Sequence, residues 1–228
     1  MKNYGISFSA ITIAAVCAVA PAHAMLVLQS EQSFQGTGLG AANTILTLQS
    51  PGNSTTETGS VGRMMGNPND VITGDAMTGG SQTQTRSLSS LGLTSASDLR
   101  VVFNALEPGG GANSITLSNL QLNIYSPTGS LLFNSGTFAP VVLQNTQTGA
   151  GNSGFVFALD ATQAAQAQAS AFTGNFGGNL VGLSATANNA TGGFETFFVT
   201  SIPEPETYGL MLAGLAAVAG VVRRRKAG

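Results

Sequence analysis

One cysteine, one histidine and no tryptophan occur in 228 residues, and only 8% of the residues are charged. A soluble globular protein carries roughly 25%. The cysteine is Cys17 and the histidine is His23, both near the start. Four of the eight basic residues are contiguous, as Arg223, Arg224, Arg225 and Lys226, and a fifth is Lys2. From Met25 to Ile202 the chain holds only Arg63, Arg86 and Arg100, with eight acids and no lysine. Each absence closes a class of chemistry. Phosphate binding needs clustered Lys and Arg, so nucleic acid is not an expected partner. A single cysteine excludes an internal disulfide. A stretch without His or Cys has no zinc cluster, no thiol nucleophile and no Ser-His-Asp triad. With no tryptophan, and Tyr125 the only tyrosine between Met25 and Ile202, little aromatic surface is available to stack on a sugar ring.

The two ends account for much of what charge there is. Lys2 opens a positive segment, an apolar run follows from Ile11 to Ala20, and Pro21-Ala22-His23-Ala24 comes next. Small residues at Ala22 and Ala24 flank one larger residue, as signal peptidase requires, so residues 1–24 read as a signal peptide cleaved after Ala24. Cleavage there removes Cys17 and His23 together.

The other end begins with Ile202-Pro203-Glu204-Pro205-Glu206-Thr207-Tyr208, continues through an apolar run from Gly209 to Val222, and closes on Arg223 to Lys226. The run is about 15 residues, short of the roughly 20 of a comfortable membrane span, so a short membrane helix is expected. The basic cluster stays cytoplasmic by the positive-inside rule, which leaves the body outside. Two prolines hold the segment before the helix extended.

This tripartite tail resembles the PEP-CTERM sorting signal of Gram-negative bacteria. Pro203, Glu204 and Pro205 are the motif, the apolar run is the anchor, and Arg223, Arg224, Arg225 and Lys226 are the basic stop-transfer cluster. The resemblance implies a precursor held in the inner membrane. It further implies processing near Pro203-Glu204-Pro205 by exosortase, a membrane-embedded transpeptidase, and delivery to the cell surface or an exopolysaccharide matrix.

Between the ends lies one domain, residues 25–202, with residues 203–228 as the sorting segment. Strand-length alternation or apolar runs occur at Met25–Gln29, Thr44–Gln49, Leu99–Leu106, Ser114–Tyr125, Ser130–Asn134, Gly154–Leu159, Asn179–Ala187 and Gly193–Ile202. In Ile115–Ile124 the apolar parity shifts by one residue at Ser118-Asn119, which predicts a bulge. Ser126-Pro127-Thr128-Gly129 predicts a tight turn. One helix is expected over Ala161–Ala171, capped by Asp160, with Gln163 as its capping-box partner and Gly174 beyond its end. Pro51–Gly62 and Asn67–Arg86 read as long polar loops. The expected core includes Phe103, Phe133, Phe155, Phe157, Phe194, Phe197 and Phe198. The fold class is therefore all-β: a jelly-roll-like β-sandwich with one short helix, plus a signal helix and a C-terminal transmembrane helix.

Chemistry is sparse in this body. Glu195, set in Gly193-Phe194-Glu195-Thr196-Phe197, is expected either to face solvent or to pair, with Arg100 as the available cation. Asp70 and Asp75, in a loop with Asn67 and Asn69, are the calcium candidates, and an ordinary polar turn is the alternative. Gly109-Gly110-Gly111 lacks the Lys and Ser/Thr of a phosphate loop. No catalytic residue, cofactor or metal is assigned. The expected function is that of a non-enzymatic surface or matrix protein with a structural or adhesive role in biofilm or floc. Two alternatives stay open: a carbohydrate- or calcium-binding module, and a glycoside hydrolase built on paired carboxylates.

Overall fold

The computed structural model describes residues 25–33, 43–49, 52, 54–79, 81–105, 114–144, 153–191 and 193–201. The signal segment with Ala22 and Ala24, the motif Pro203-Glu204-Pro205, the apolar run and the basic cluster lie outside the described residues, as does Gly109-Gly110-Gly111.

In chain order the strands are β1 (Leu26–Ser33), β2 (Thr44–Leu48), β3 (Thr56–Gly62), β4 (Val71–Gly74), β5 (Arg86–Ser87) and β6 (Leu99–Asn104). There follow β7 (Ser114–Tyr125), β8 (Leu131–Asn134), β9 (Val141–Gln144) and β10 (Ser153–Leu159). Helix α1 (Ala161–Ala171) precedes β11 (Leu180–Asn188) and β12 (Glu195–Ser201). One sheet has the order β1-β10-β6-β12-β2 and the other β4-β3-β11-β7-β8, with β5 on β11 and β9 on β7. All pairings are antiparallel.

The connectivity is a nested hairpin rolled up. Strand β2 neighbours β12, β3 neighbours β11, β6 neighbours β10, and β7 neighbours β8. Pairs that nest in this way, dealt alternately to two sheets, are the jelly-roll arrangement. The core fills the space between the sheets, with Phe103 stacked on Phe197 at 4.5 Å near its middle. Phe133, Phe155 and Phe157 join them. Two of the expected core phenylalanines do not: Phe194 is exposed, and Phe198 is buried on the other face of its sheet, with Val102 and Val156.

Every stretch read as a strand is one. The bulge is at Ser118: Asn119 pairs with Thr186 and Leu117 with Ala187, so Ser118 is the extra residue. Its hydroxyl donates to the Thr186 carbonyl at 3.2 Å. The bulge returns Ile115 and Leu117 to the same buried side as Leu120, Leu122 and Ile124. At the predicted turn, Gly129 has φ 89 and donates to the Ser126 carbonyl at 2.9 Å.

The two expected polar loops are corrected. Pro51–Gly62 contains β3, and Asn67–Arg86 contains β4 and the start of β5. The segment between β4 and β5 runs along the free edge of β2. The Gln49 amide donates to the Asp75 carbonyl, Met77 to Thr47, and Gln84 to Ile45. A sheet edge left open is a template for aggregation, and this segment covers it. Strand β9 was also not expected.

Helix α1 has the predicted bounds, and Asp160 Oδ1 accepts from the Gln163 amide at 2.8 Å. The capping box is not closed. Gln163 is fully buried, and its Nε2 donates to the Ser135 carbonyl instead of reaching back to Asp160. Gln163, Ala167 and Ala171 form the buried stripe, at the four-residue spacing that stacks side chains on one face.

Candidate functional site

The acids expected to carry chemistry are placed separately. Asp70 and Asp75 flank the two ends of β4. Asp70 accepts from the Thr85 hydroxyl at 2.6 Å and from the Thr85 amide at 2.9 Å, and it pairs with Arg63 Nε at 2.9 Å. Asp75 Oδ2 accepts from the Thr58 amide at 2.9 Å. The Asn67 side chain accepts from the Asn69 amide, an Asx-turn bond of the ordinary kind. Both aspartates thus tie loops to strands. Among the described residues, no group of three or more His, Cys, Asp or Glu is disposed to hold a metal ion.

Glu195 is fully buried, opposite Leu48 and on the same side of β12 as Phe197 and Val199. The expected partner Arg100 is elsewhere: it lies opposite Thr200, at the other end of the strand, and bonds the Ser97 and Leu99 carbonyls. Glu57 is a second buried acid, which sequence reasoning did not single out. Its neighbours Thr56 and Thr58 are exposed, so Glu57 faces inward with Gly59 and Val61.

What the fold does bring together is the two ends of the body. Leu26 pairs with Leu159, Ala158 with Arg100, and Arg100 with Thr200. The start of β1 and the end of β12 therefore leave the same pole of the five-stranded sheet, three strand spacings of about 4.8 Å apart. The amide of Met25 donates to Asp160 Oδ2 at 3.2 Å, so the first residue after the expected cleavage site is tied to the helix cap. At the other terminus, the last rung of β12 pairs Ser201 with Leu99. Strand β12 lies inside its sheet, between β6 and β2.

The sequence from that last rung onward has a counterpart among known families. Residues 201–226 match the PEP-CTERM protein-sorting motif. The chain carries a PEP-CTERM sorting motif. The match covers Pro203-Glu204-Pro205, the apolar run and the basic residues Arg223 to Lys226. A PEP-CTERM motif marks a protein for export as a membrane-anchored precursor and for processing by an exosortase. No curated protein and no solved structure matches the chain.

The match begins at Ser201, the last residue of β12. No helix among the described residues is long and apolar enough to cross a membrane. The apolar run of the motif is not among them.

A shallow groove of about 250 Å³ lies on the seven-stranded sheet, between β3, β11 and the end of β7. Tyr125 borders it, and burial pushes its phenol pKa up. A second groove, beside Gln49, Asp75 and Met77, holds one carboxylate. Sequence reasoning missed the first groove, because its residues come from strands far apart in the chain.

Proposed function

We propose that this chain is a non-enzymatic protein of the bacterial cell surface or extracellular matrix, with a structural or adhesive role in biofilm or floc. On this reading, signal peptidase cuts after Ala24 and the tail holds the precursor in the inner membrane. An exosortase-type transpeptidase then acts near Pro203-Glu204-Pro205. The observation that carries the reading is the sorting motif, which starts on the last rung of the last strand.

The geometry supports it in two ways. Both ends of the described body leave one pole, so the signal and sorting segments attach at the same side of the sandwich. The body itself is suited to a crowded exterior. Its outward strand positions carry neutral polar residues, as Thr56, Thr58 and Ser60 do on β3, and charge is scarce. Hydrogen bonding by such a surface is little affected by ionic strength, since salt screens charges and not neutral polar groups.

Deletion of the gene in the producing bacterium, with complementation by the full chain, tests the role. The expected result is loss of floc or biofilm cohesion, restored on complementation. Unchanged cohesion in the deletion strain contradicts it.

A further inference from the structure

We propose that the groove over Tyr125 binds one ring of a neutral carbohydrate chain, an inference that rests on the matrix role above and names its ligand. The argument starts from two glycines. Gly62 on β3 and Gly182 on β11 lie side by side: a Cβ on Gly182 would stand 3.1 Å from the Gly62 Cα. A Cβ on Gly62 would stand 2.6 Å from the Tyr125 hydroxyl, and one on Gly182 would stand 3.1 Å from the Tyr125 ring. The absence of both side chains lets the ring reach diagonally from β7 across the sheet, close against the backbone. An aromatic ring held low on a sheet offers an apolar surface for the C–H face of a pyranose.

The ring is surrounded by unspent hydrogen-bonding capacity. Gln121 Nε2 donates to the Gly136 carbonyl, which leaves Oε1 to accept. Asn123 Oδ1 accepts from Asn134 Nδ2, which leaves its own Nδ2 to donate. The hydroxyls of Tyr125 and Ser184 make no hydrogen bond among the described residues. These groups are both donors and acceptors, as a sugar hydroxyl requires. They stand on strands, so little ordering is needed on binding.

Charge decides the ligand class. Among the described residues Arg63 is the only charged one lining the groove, and Asp70 neutralises it at 2.9 Å. An acidic saccharide gains no free cation there. Its described lining holds no carboxylate, which suits binding and not hydrolysis. At about 250 Å³ it is smaller than the roughly 300–1,000 Å³ of pockets that enclose a drug-sized ligand. It accommodates one ring of a chain that passes over the surface.

The test is calorimetric titration of the full chain, purified in detergent, with maltohexaose, cellohexaose, chitohexaose and an oligogalacturonate. Saturable binding of at least one neutral hexaose, with weaker binding of the oligogalacturonate, is expected. Tyr125→Ala should weaken it by about tenfold or more. Gln121→Ala, which also removes the bond to the Gly136 carbonyl, should weaken it, and Ser184→Ala, whose hydroxyl makes no hydrogen bond among the described residues, should weaken it without lowering the unfolding temperature appreciably. No binding of any neutral hexaose, preference for the anion, or affinity in the variants equal to that of the parent overturns the proposal. A purely structural Tyr125 shows itself as lower thermal stability in Tyr125→Ala with no sugar binding in the parent. Tail processing, followed in the same preparations by mass, separates failure of this inference from failure of the sorting reading.

Discussion

Asp160 links two parts of the body with one carboxylate: Oδ1 caps α1 through the Gln163 amide, and Oδ2 accepts from Met25. If the signal peptide is cut after Ala24, the Met25 nitrogen becomes an α-ammonium, and an amide–carboxylate hydrogen bond becomes an ion pair. Asparagine caps helices about as well as aspartate, whereas alanine loses about 1 kcal/mol. Asp160→Ala is therefore expected to lower the unfolding free energy by about that amount while residues precede Met25, and by more once Met25 is the N-terminus. Asp160→Asn should cost little while residues precede Met25 and measurably more once Met25 is the N-terminus. Urea unfolding of the exported protein and of a form extended at its N-terminus reads both effects. The cap itself was legible, because an aspartate stands directly before an Ala/Gln run. The fate of Gln163 was not. The same Asp-x-x-Gln spacing serves a capping box or a side chain that turns into the core, and only the Ser135 carbonyl opposite decides. Glu195 was equally undecidable, since its burial follows from the parity of Phe197 and Val199 and its distance from Arg100 from the strand register.

At the scale of elements, the longer strands with bulky apolar residues announced themselves, while the four-residue β4 and β9 and the small-residue β3 did not. β7 was readable to its bounds and its bulge, because five aliphatic residues mark its inward face. β3, Thr-Glu-Thr-Gly-Ser-Val-Gly, offers one aliphatic residue and two glycines, so its alternation is hidden. Its inward positions are Glu57, Gly59 and Val61. Gly59 is there for space: a Cβ would come within 2.7 Å of Leu48 Cδ2, 2.9 Å of the Ala76 nitrogen and 3.0 Å of the Thr73 oxygen. Two of those atoms are backbone and cannot rotate away. Gly59→Ala should then destabilise the protein by about 1–3 kcal/mol, the range for overpacking a filled interior. Ser60→Ala, on the outward side of the same strand, should stay within about 0.5 kcal/mol of the parent. Denaturant midpoints of the two variants make the comparison, and equal midpoints would contradict the close approach of β3 to β2. Strand β4 and the segment that covers the β2 edge were unreadable for a related reason. Their bonds are to backbone of β2 and β3, and backbone pairing leaves no mark on side-chain pattern.

At the scale of the molecule, the nested order of pairs could be anticipated only as a class. Alternating strands and one helix pointed to a sandwich, while the order of strands within each sheet depends on which edges meet in space. The sorting tail was the most legible part, because its three components stand in linear order and need no tertiary contact to be recognised. The groove over Tyr125 was the least legible, since it is assembled from β3, β7 and β11, and the scarcity of aromatics argued against it. The fold adds one fact that sequence alone did not carry: the family match starts on the residue that forms the last rung of β12. The central claim is that this tail is a working sorting signal. It is tested most directly by the intact mass and membrane partition of the full chain in its native bacterium, beside a variant with Pro203, Glu204 and Pro205 all replaced by alanine. The account predicts a parent that has lost Arg223 to Lys226 and left the inner membrane, and a variant that keeps its tail and stays membrane-bound. A variant processed and released like the parent would contradict it.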